Sequence, residues 1–172
     1  MGQIILVTGG VRSGKSAFAE RYAAHCAAQR ETRVAYIATA QVYDEEMQMR
    51  VDLHQSRRPA DWVTYESPFD TEHAIYAAGQ SCGVILFDCI TMFLSNDMLQ
   101  YPEEEQERDS FVLHVEERIG ALIHAAEEVP ATTIFVTNEV GSGIVPEHRL
   151  GRLYRDMAGL ANQQIARSAI EV

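Results

Sequence analysis

The stretch Ile4-Ile5-Leu6-Val7-Thr8-Gly9-Gly10-Val11-Arg12-Ser13-Gly14-Lys15-Ser16 decides the fold. Its first part, Ile4 to Val7, is a short β-rich apolar run and reads as a buried strand. Its second part, Gly9 to Ser16, matches G-x-x-x-x-G-K-[ST] in full. The alanine-rich segment that follows, Ala17 to Arg30, with aromatics at Phe18 and Tyr22, reads as a helix. Strand, glycine-rich turn and helix in that order make a phosphate cradle. Glycines let the backbone curl so that successive N–H groups point inward, and the helix N-terminus adds partial positive charge. The predicted nucleotide contacts here are Gly9, Gly10, Val11, Arg12, Ser13, Gly14, Lys15 and Ser16. Lys15 is also a predicted catalytic residue, reaching the β- and γ-phosphates. Ser16 is a predicted ligand of a Mg²⁺ that bridges them.

Composition supports a local device of this kind. The 172 residues carry a net charge of −11. So acidic a chain has no general attraction for nucleic acid or anionic membranes, and a polyanion must be held by a dedicated nest. Of the 14 basic residues, 13 are arginine and Lys15 is the single lysine. A compact ammonium serves where a planar guanidinium does not fit. Cys26, Cys82 and Cys89 form no metal-ligand spacing and read as small buried hydrophobes in a reducing compartment. No apolar run is long enough to span a bilayer, and the N-terminus lacks a signal peptide's basic region. The expectations are no membrane insertion, no nucleic-acid partner and a cytoplasmic location.

Outward from the loop, strands and helices alternate. Val34 to Ala38, Val84 to Asp88 and Thr132 to Thr137 read as buried strands, and Trp62 to Glu66 as a further strand. Helices are predicted over Asp44 to Gln55, Asp70 to Ala78 (capped near Asp70 or Thr71), Ile90 to Leu99 and His148 to Ala169. Another, after the acidic run Pro102 to Glu107, carries an apolar stripe at Val112, Val115, Ile119, Leu122, Ile123 and Ala126. Continuous apolar strands alternating with helices indicate an α/β class with a mainly parallel sheet. With the phosphate loop, the prediction is a P-loop NTPase-type three-layer fold in a single domain over residues 1–172. Strand order is not derivable from this pattern.

Asp88, at the end of a predicted strand, has two readings: an acid that helps hold Mg²⁺, or a helix N-cap. The first requires its strand to neighbour the phosphate-loop strand. A guanine-reading Asn/Thr-Lys-x-Asp motif is impossible without a second lysine, which argues against a regulatory GTPase.

Several segments beyond the loop form a set. They are Tyr36-Ile37-Ala38-Thr39-Ala40-Gln41, Asp44-Glu45-Glu46-Met47, Arg50 to Pro59 with His54-x-x-x-Arg58-Pro59, Trp62, and Val136-Thr137-Asn138-Glu139-Val140-Gly141-Ser142-Gly143-Ile144-Val145-Pro146-Glu147-His148-Arg149. Together with the loop, and in the same order, this set resembles the bifunctional adenosylcobinamide kinase/adenosylcobinamide-phosphate guanylyltransferases of cobalamin biosynthesis.

The resemblance implies two reactions: phosphorylation of the aminopropanol hydroxyl of adenosylcobinamide by ATP or GTP, and transfer of GMP from GTP to the resulting phosphate. It makes His54 the second catalytic residue, a nucleophile guanylylated on its imidazole. A lone helical histidine by itself reads as a surface or core-edge residue, but neutral imidazole is a competent nucleophile near neutral pH. It also places Thr39, Ala40, Gln41, Gln55, Ser56, Arg57, Arg58, Glu66 and Asp88 at the nucleotide, and Ser16 with Asp88 at Mg²⁺. An acid that reads guanine accepts from its N1–H and amine; the resemblance does not assign that contact to Glu66 or to Asp88. A homotrimer with a corrinoid substrate is implied. The family's final strand, beyond the position of Glu171-Val172, is expected to be missing. Ala40 stands where the family has a small polar residue. Two other functions fit the loop alone: a P-loop small-molecule kinase without a covalent intermediate, and a non-catalytic nucleotide-binding module.

Overall fold

The computed structural model describes residues 1–42, 45–56, 58–101 and 108–172, with backbone alone for 46, 47, 50, 53, 54 and 108. The acidic run from Pro102 to Glu107 lies outside the described residues. The described strands are β1 (Gln3–Gly9), β2 (Val34–Ala38), β3 (Val63–Glu66), β4 (Val84–Asp88) and β5 (Thr132–Asn138). The helices are α1 (Lys15–Gln29), α2 (Glu45–Ser56), α3 (Thr71–Gly79), α4 (Ile90–Leu99), α5 (Arg108–Glu128) and α6 (Arg149–Ser168). All strands pair in parallel, in the order β1-β5-β4-β2-β3. Parallel strands need both faces covered, and here they are.

One face packs on α1, whose Ala19, Ala23 and Ala27 are buried against Ile5, Val7, Val34, Tyr36, Leu86, Ile134 and Val136. An alanine stripe lets the helix axis lie close to the sheet, so α1 spans β1, β5, β4 and β2. The other face packs on α3, α4, α5 and α6 through a core that includes Phe87, Phe93, Phe135, Ile119 and Leu122. Phe87 meets Phe93 and Phe135 edge-on, with centroids 6.2 and 5.2 Å away, the arrangement aromatic quadrupoles favour. At the rim of this layer Arg118 of α5 pairs with Glu72 of α3 at 2.5 Å and Asp97 of α4 at 3.3 Å.

Two sequence expectations change. The strand of Asp88, β4, is not a neighbour of β1, because β5 lies between them. The helix after β4 is capped by Cys89, not Asp88; Asp88 is still paired in the sheet, opposite Ala38 and Val136. Asp70 is the N-cap of α3 but makes no side-chain cap hydrogen bond. Beside the outer edge of β1, Glu171 forms a parallel bridge with Ile5, and the Tyr22 hydroxyl donates to its carboxylate at 2.7 Å.

Candidate functional site

Parallel register brings the predicted residues to one edge of the sheet. Gly9 is level with Asn138, Asp88 with Val136 and Ala38, and Ala38 with Glu66. The carboxyl ends of five strands therefore share a rim, the place where open α/β sheets bind ligands.

The phosphate loop crosses that rim. Gly14, at φ 86°, is the N-cap of α1, in a left-handed conformation that glycine adopts without steric cost. A Cβ on Gly9 would sit 2.7 Å from Ser13 Oγ, so the curl needs glycine there as well. Gly10, Val11, Arg12 and Ser13 are exposed along the loop. Lys15 Nζ donates to the Gly10 carbonyl at 3.2 Å, folding the ammonium back over the loop. Lys15 and Ser16 occupy the first turn of α1, where N–H groups have no helical acceptor. The loop at the end of β1 and Asp88 at the end of β4 share this rim, with β5 between their strands. The loop after β5 is tied in too: Glu139 N–H donates to the Gly9 carbonyl at 3.0 Å. Gly141 N–H donates to the Glu139 carboxylate at 2.5 Å, making a tight turn.

Asp88 Oδ2 accepts the Tyr36 hydroxyl at 2.8 Å. Burial first, then the Asp88 charge, pushes the Tyr36 phenol far above the usual tyrosine range. The Arg58 guanidinium lies 3.5 Å from the centre of the Tyr36 ring, and its Nη1 donates to Thr64 Oγ1 at 3.3 Å. Gln55 Nε2 donates to Glu66 Oε1 at 3.2 Å. Arg58 and Gln55 thus hold the end of α2 against β2 and β3. Ser56 is the exposed last residue of that helix. The backbone of His54 is in the same final turn; its side chain, and Arg57 entirely, lie outside the described residues.

Thr39 is completely buried, and its hydroxyl is bonded to the backbone of Cys89. Its side chain faces the protein, and its place beyond β2 is the one the resemblance puts along the nucleotide site. Ala40 and Gln41 follow it in the half-buried loop toward α2. Sequence reading passed over two residues of this region, Tyr36 and Asn96. A tyrosine inside a fully buried strand was the available signal, since its hydroxyl needs a partner. Asn96 sits in an apolar helix and donates to the carbonyls of Thr39 and Pro68 at 2.7 and 3.1 Å.

Among known proteins, a model of the family described as cobinamide kinase / cobinamide phosphate guanyltransferase matches residues 5–172. The chain belongs to that family. Relatives in the cobinamide kinase / cobinamide phosphate guanyltransferase family include the "bifunctional adenosylcobalamin biosynthesis protein CobU" of Escherichia coli and its namesake of Salmonella typhimurium. Each is 40% identical over 173 residues, spanning 98% of this chain and 93% of the relative. The "bifunctional adenosylcobalamin biosynthesis protein CobP" of Pseudomonas aeruginosa is 40% identical over 161 residues, 94% of this chain and 86% of its own. Among solved structures, a KaiC-like protein of Pyrococcus horikoshii superposes with a TM-score of 0.51 at 17% identity, over 91% of this chain and 68% of the other. That likeness concerns the fold: a P-loop type α/β sheet carries the family's residues.

Proposed function

We propose that this chain carries both activities in its family's name, phosphorylating adenosylcobinamide and then converting adenosylcobinamide phosphate to adenosylcobinamide-GDP. Supporting this is one juxtaposition, a complete phosphate loop at the N-terminus of α1 on the same sheet edge as the ends of β2, β3 and β4, in a chain matched to the family over residues 5–172. In the first reaction the aminopropanol hydroxyl attacks the γ-phosphorus of ATP or GTP. The bond to the nucleoside diphosphate breaks, and the hydroxyl proton leaves to solvent. The loop N–H groups and Lys15 hold the phosphates in line and offset their charge.

In the second reaction a ring nitrogen of His54 attacks the α-phosphorus of GTP and the bond to pyrophosphate breaks. The phosphoramidate then passes GMP to the incoming corrinoid phosphate, and the P–N bond breaks to restore the imidazole. Two displacements avoid the direct meeting of two polyanions. Gln55, Ser56, Arg57, Arg58 and Glu66 surround that step in this reading.

Ser16 would hold Mg²⁺ at the loop, and Asp88, across β5 from the loop strand, would do so only through water. A hydroxyl and a carboxylate are hard oxygen donors suited to that ion, and its role would be to offset charge on the β- and γ-phosphates. The same reading makes the enzyme a cytoplasmic homotrimer, an assembly that sedimentation tests. Among the described residues no helix is long and apolar enough to cross a membrane.

The deciding experiment incubates the pure protein with Mg²⁺ and GTP labelled at the α-phosphorus, then denatures it. Acid-labile, alkali-stable label is expected from the α position, none from the γ position, and none in His54→Ala. A folded, GTP-binding protein that takes no label would sink the covalent step and leave a simple kinase.

A further inference from the structure

The loop between β5 and α6 is tied at both ends and carries bare aliphatic side chains between the ties. At its start the Glu139 N–H donates to the Gly9 carbonyl at 3.0 Å. The Asn138 side chain donates to Thr91 Oγ1 at 2.8 Å, and Asn162 of α6 donates to the Asn138 carbonyl at 3.3 Å. At its end Arg152 Nη1 donates to the Pro146 carbonyl at 3.0 Å and also to the Glu147 carbonyl. Between these ties Ile144 is 96% exposed and Val145 61% exposed. Pro146 restricts Val145 to extended backbone. Val11, in the phosphate loop itself, is 79% exposed. Two loops leaving adjacent strands thus hold aliphatic side chains in water at one rim, and the fold gains nothing from them there.

Their place says what can cover them. β5 is the strand next to β1, so the loop leaving β5 borders the phosphate loop. Five residues separate Glu139 from Ile144, a span of at most about 18 Å. In the kinase reaction the acceptor hydroxyl must reach the phosphates, and the body of the same molecule then lies over what borders the phosphate loop. Phosphates are met by N–H groups and gain nothing from aliphatic carbon. A corrin ring, with a broad face and methyl groups along its edge, does. We propose that Ile144 and Val145 seat the corrin macrocycle of the acceptor and set the affinity for corrinoid, not for nucleotide. This rests on the proposed activity toward adenosylcobinamide. A tied loop suits the role, since little conformational freedom remains to be lost when the ring docks.

The test is equilibrium dialysis of cobinamide, followed by its visible absorbance, against the full chain with Mg²⁺ and a non-hydrolysable GTP analogue. Ile144→Ser combined with Val145→Ser is expected to weaken cobinamide binding at least about tenfold, the scale of lost aliphatic burial. Ile144→Leu combined with Val145→Ile keeps the apolar area and is expected to bind like the parent. GTP binding by calorimetry should be the same in all three proteins. Both side chains are exposed, so the urea midpoint should not move. The inference is overturned by unchanged cobinamide affinity in the double serine substitution, by an equal loss of GTP affinity, or by a loss as large in the conservative pair. A shift in sedimentation on the serine substitutions assigns the surface to a second copy of the chain and overturns it too. A parent that binds GTP but no cobinamide overturns the proposed function and this inference with it, whereas the other outcomes overturn the inference alone.

Discussion

The hydroxyl of Tyr36 donates to the carboxylate of Asp88 at 2.8 Å from the neighbouring strand. Tyr36 is level with Leu86, and Asp88 is two residues further along β4, so both side chains stand on the same face and meet diagonally. The ring is 3% exposed and covered by Arg58. A carboxylate on the rim is thereby anchored by a phenol rooted in the core.

Tyr36→Phe removes that donor and little else. Hydrogen bonds to charged groups contribute about 1.5–3 kcal/mol, so a loss of about 2 kcal/mol is expected in urea unfolding. An unchanged midpoint would show that water or another donor replaces the phenol at no cost.

Lys15→Arg keeps the charge and changes its shape. Lys15 Nζ folds back to the Gly10 carbonyl, and a planar fork with five donors presents its charge to the phosphates in a different geometry. Phosphoryl transfer is expected to fall by at least about a hundredfold, comparable to losing one preorganised charge-stabilising donor. The unfolding midpoint should stay put, because the bond of Lys15 to the Gly10 carbonyl is exposed. Single-turnover kinetics beside urea unfolding separates the two effects.

Thr133→Val should stabilise the protein. Thr133 is 0% exposed in β5, and its Oγ1 is buried without a hydrogen-bond partner among the described residues. Replacing an unsatisfied hydroxyl by a methyl in a β-strand removes a desolvation cost of about 1–3 kcal/mol. A gain of about 1 kcal/mol in urea unfolding is expected after repacking, with both activities intact. A loss of stability would mean the hydroxyl has a partner in solution.

Alkaline pH should destabilise the fold through Cys89. Burial, and then the charge of Asp88, pushes its thiol from 9.0 up to about 11. The folded state therefore keeps a proton that the unfolded chain has released. The contribution is fully present below pH 9 and is lost as pH rises toward about 11. Stability of the parent should fall more steeply across that window than that of Cys89→Ala, by about 3 kcal/mol in total. Urea midpoints at intervals across the window read the slope. Parallel slopes would rule out the thiol as the titrating group.

The sequence by itself determined the phosphate loop and the α/β class. The loop is a local object: glycine conformations, a strand before it and a helix after it are set within a few residues, so a short stretch specifies them. Strand and helix spans followed for the same reason, with Val34–Ala38 and Ile90–Leu99 matching end to end. The family was legible as well, because its motifs are contiguous.

The tertiary structure alone decided which ends meet. Buried parallel strands look alike in sequence, so nothing local distinguishes β5 from β2 as the neighbour of β1. The alanine face of α1 lets that helix lie low across β5 and pack on β4 as well. The hydrogen-bond partner of the Thr39 hydroxyl was decided in the same way. A threonine after a strand reads equally as a ligand contact or as an internal hydrogen-bonding group. Only the placement of Cys89 beside it, 50 residues on in the chain, satisfies its hydroxyl from within, because a hydroxyl takes whichever partner the fold brings within reach.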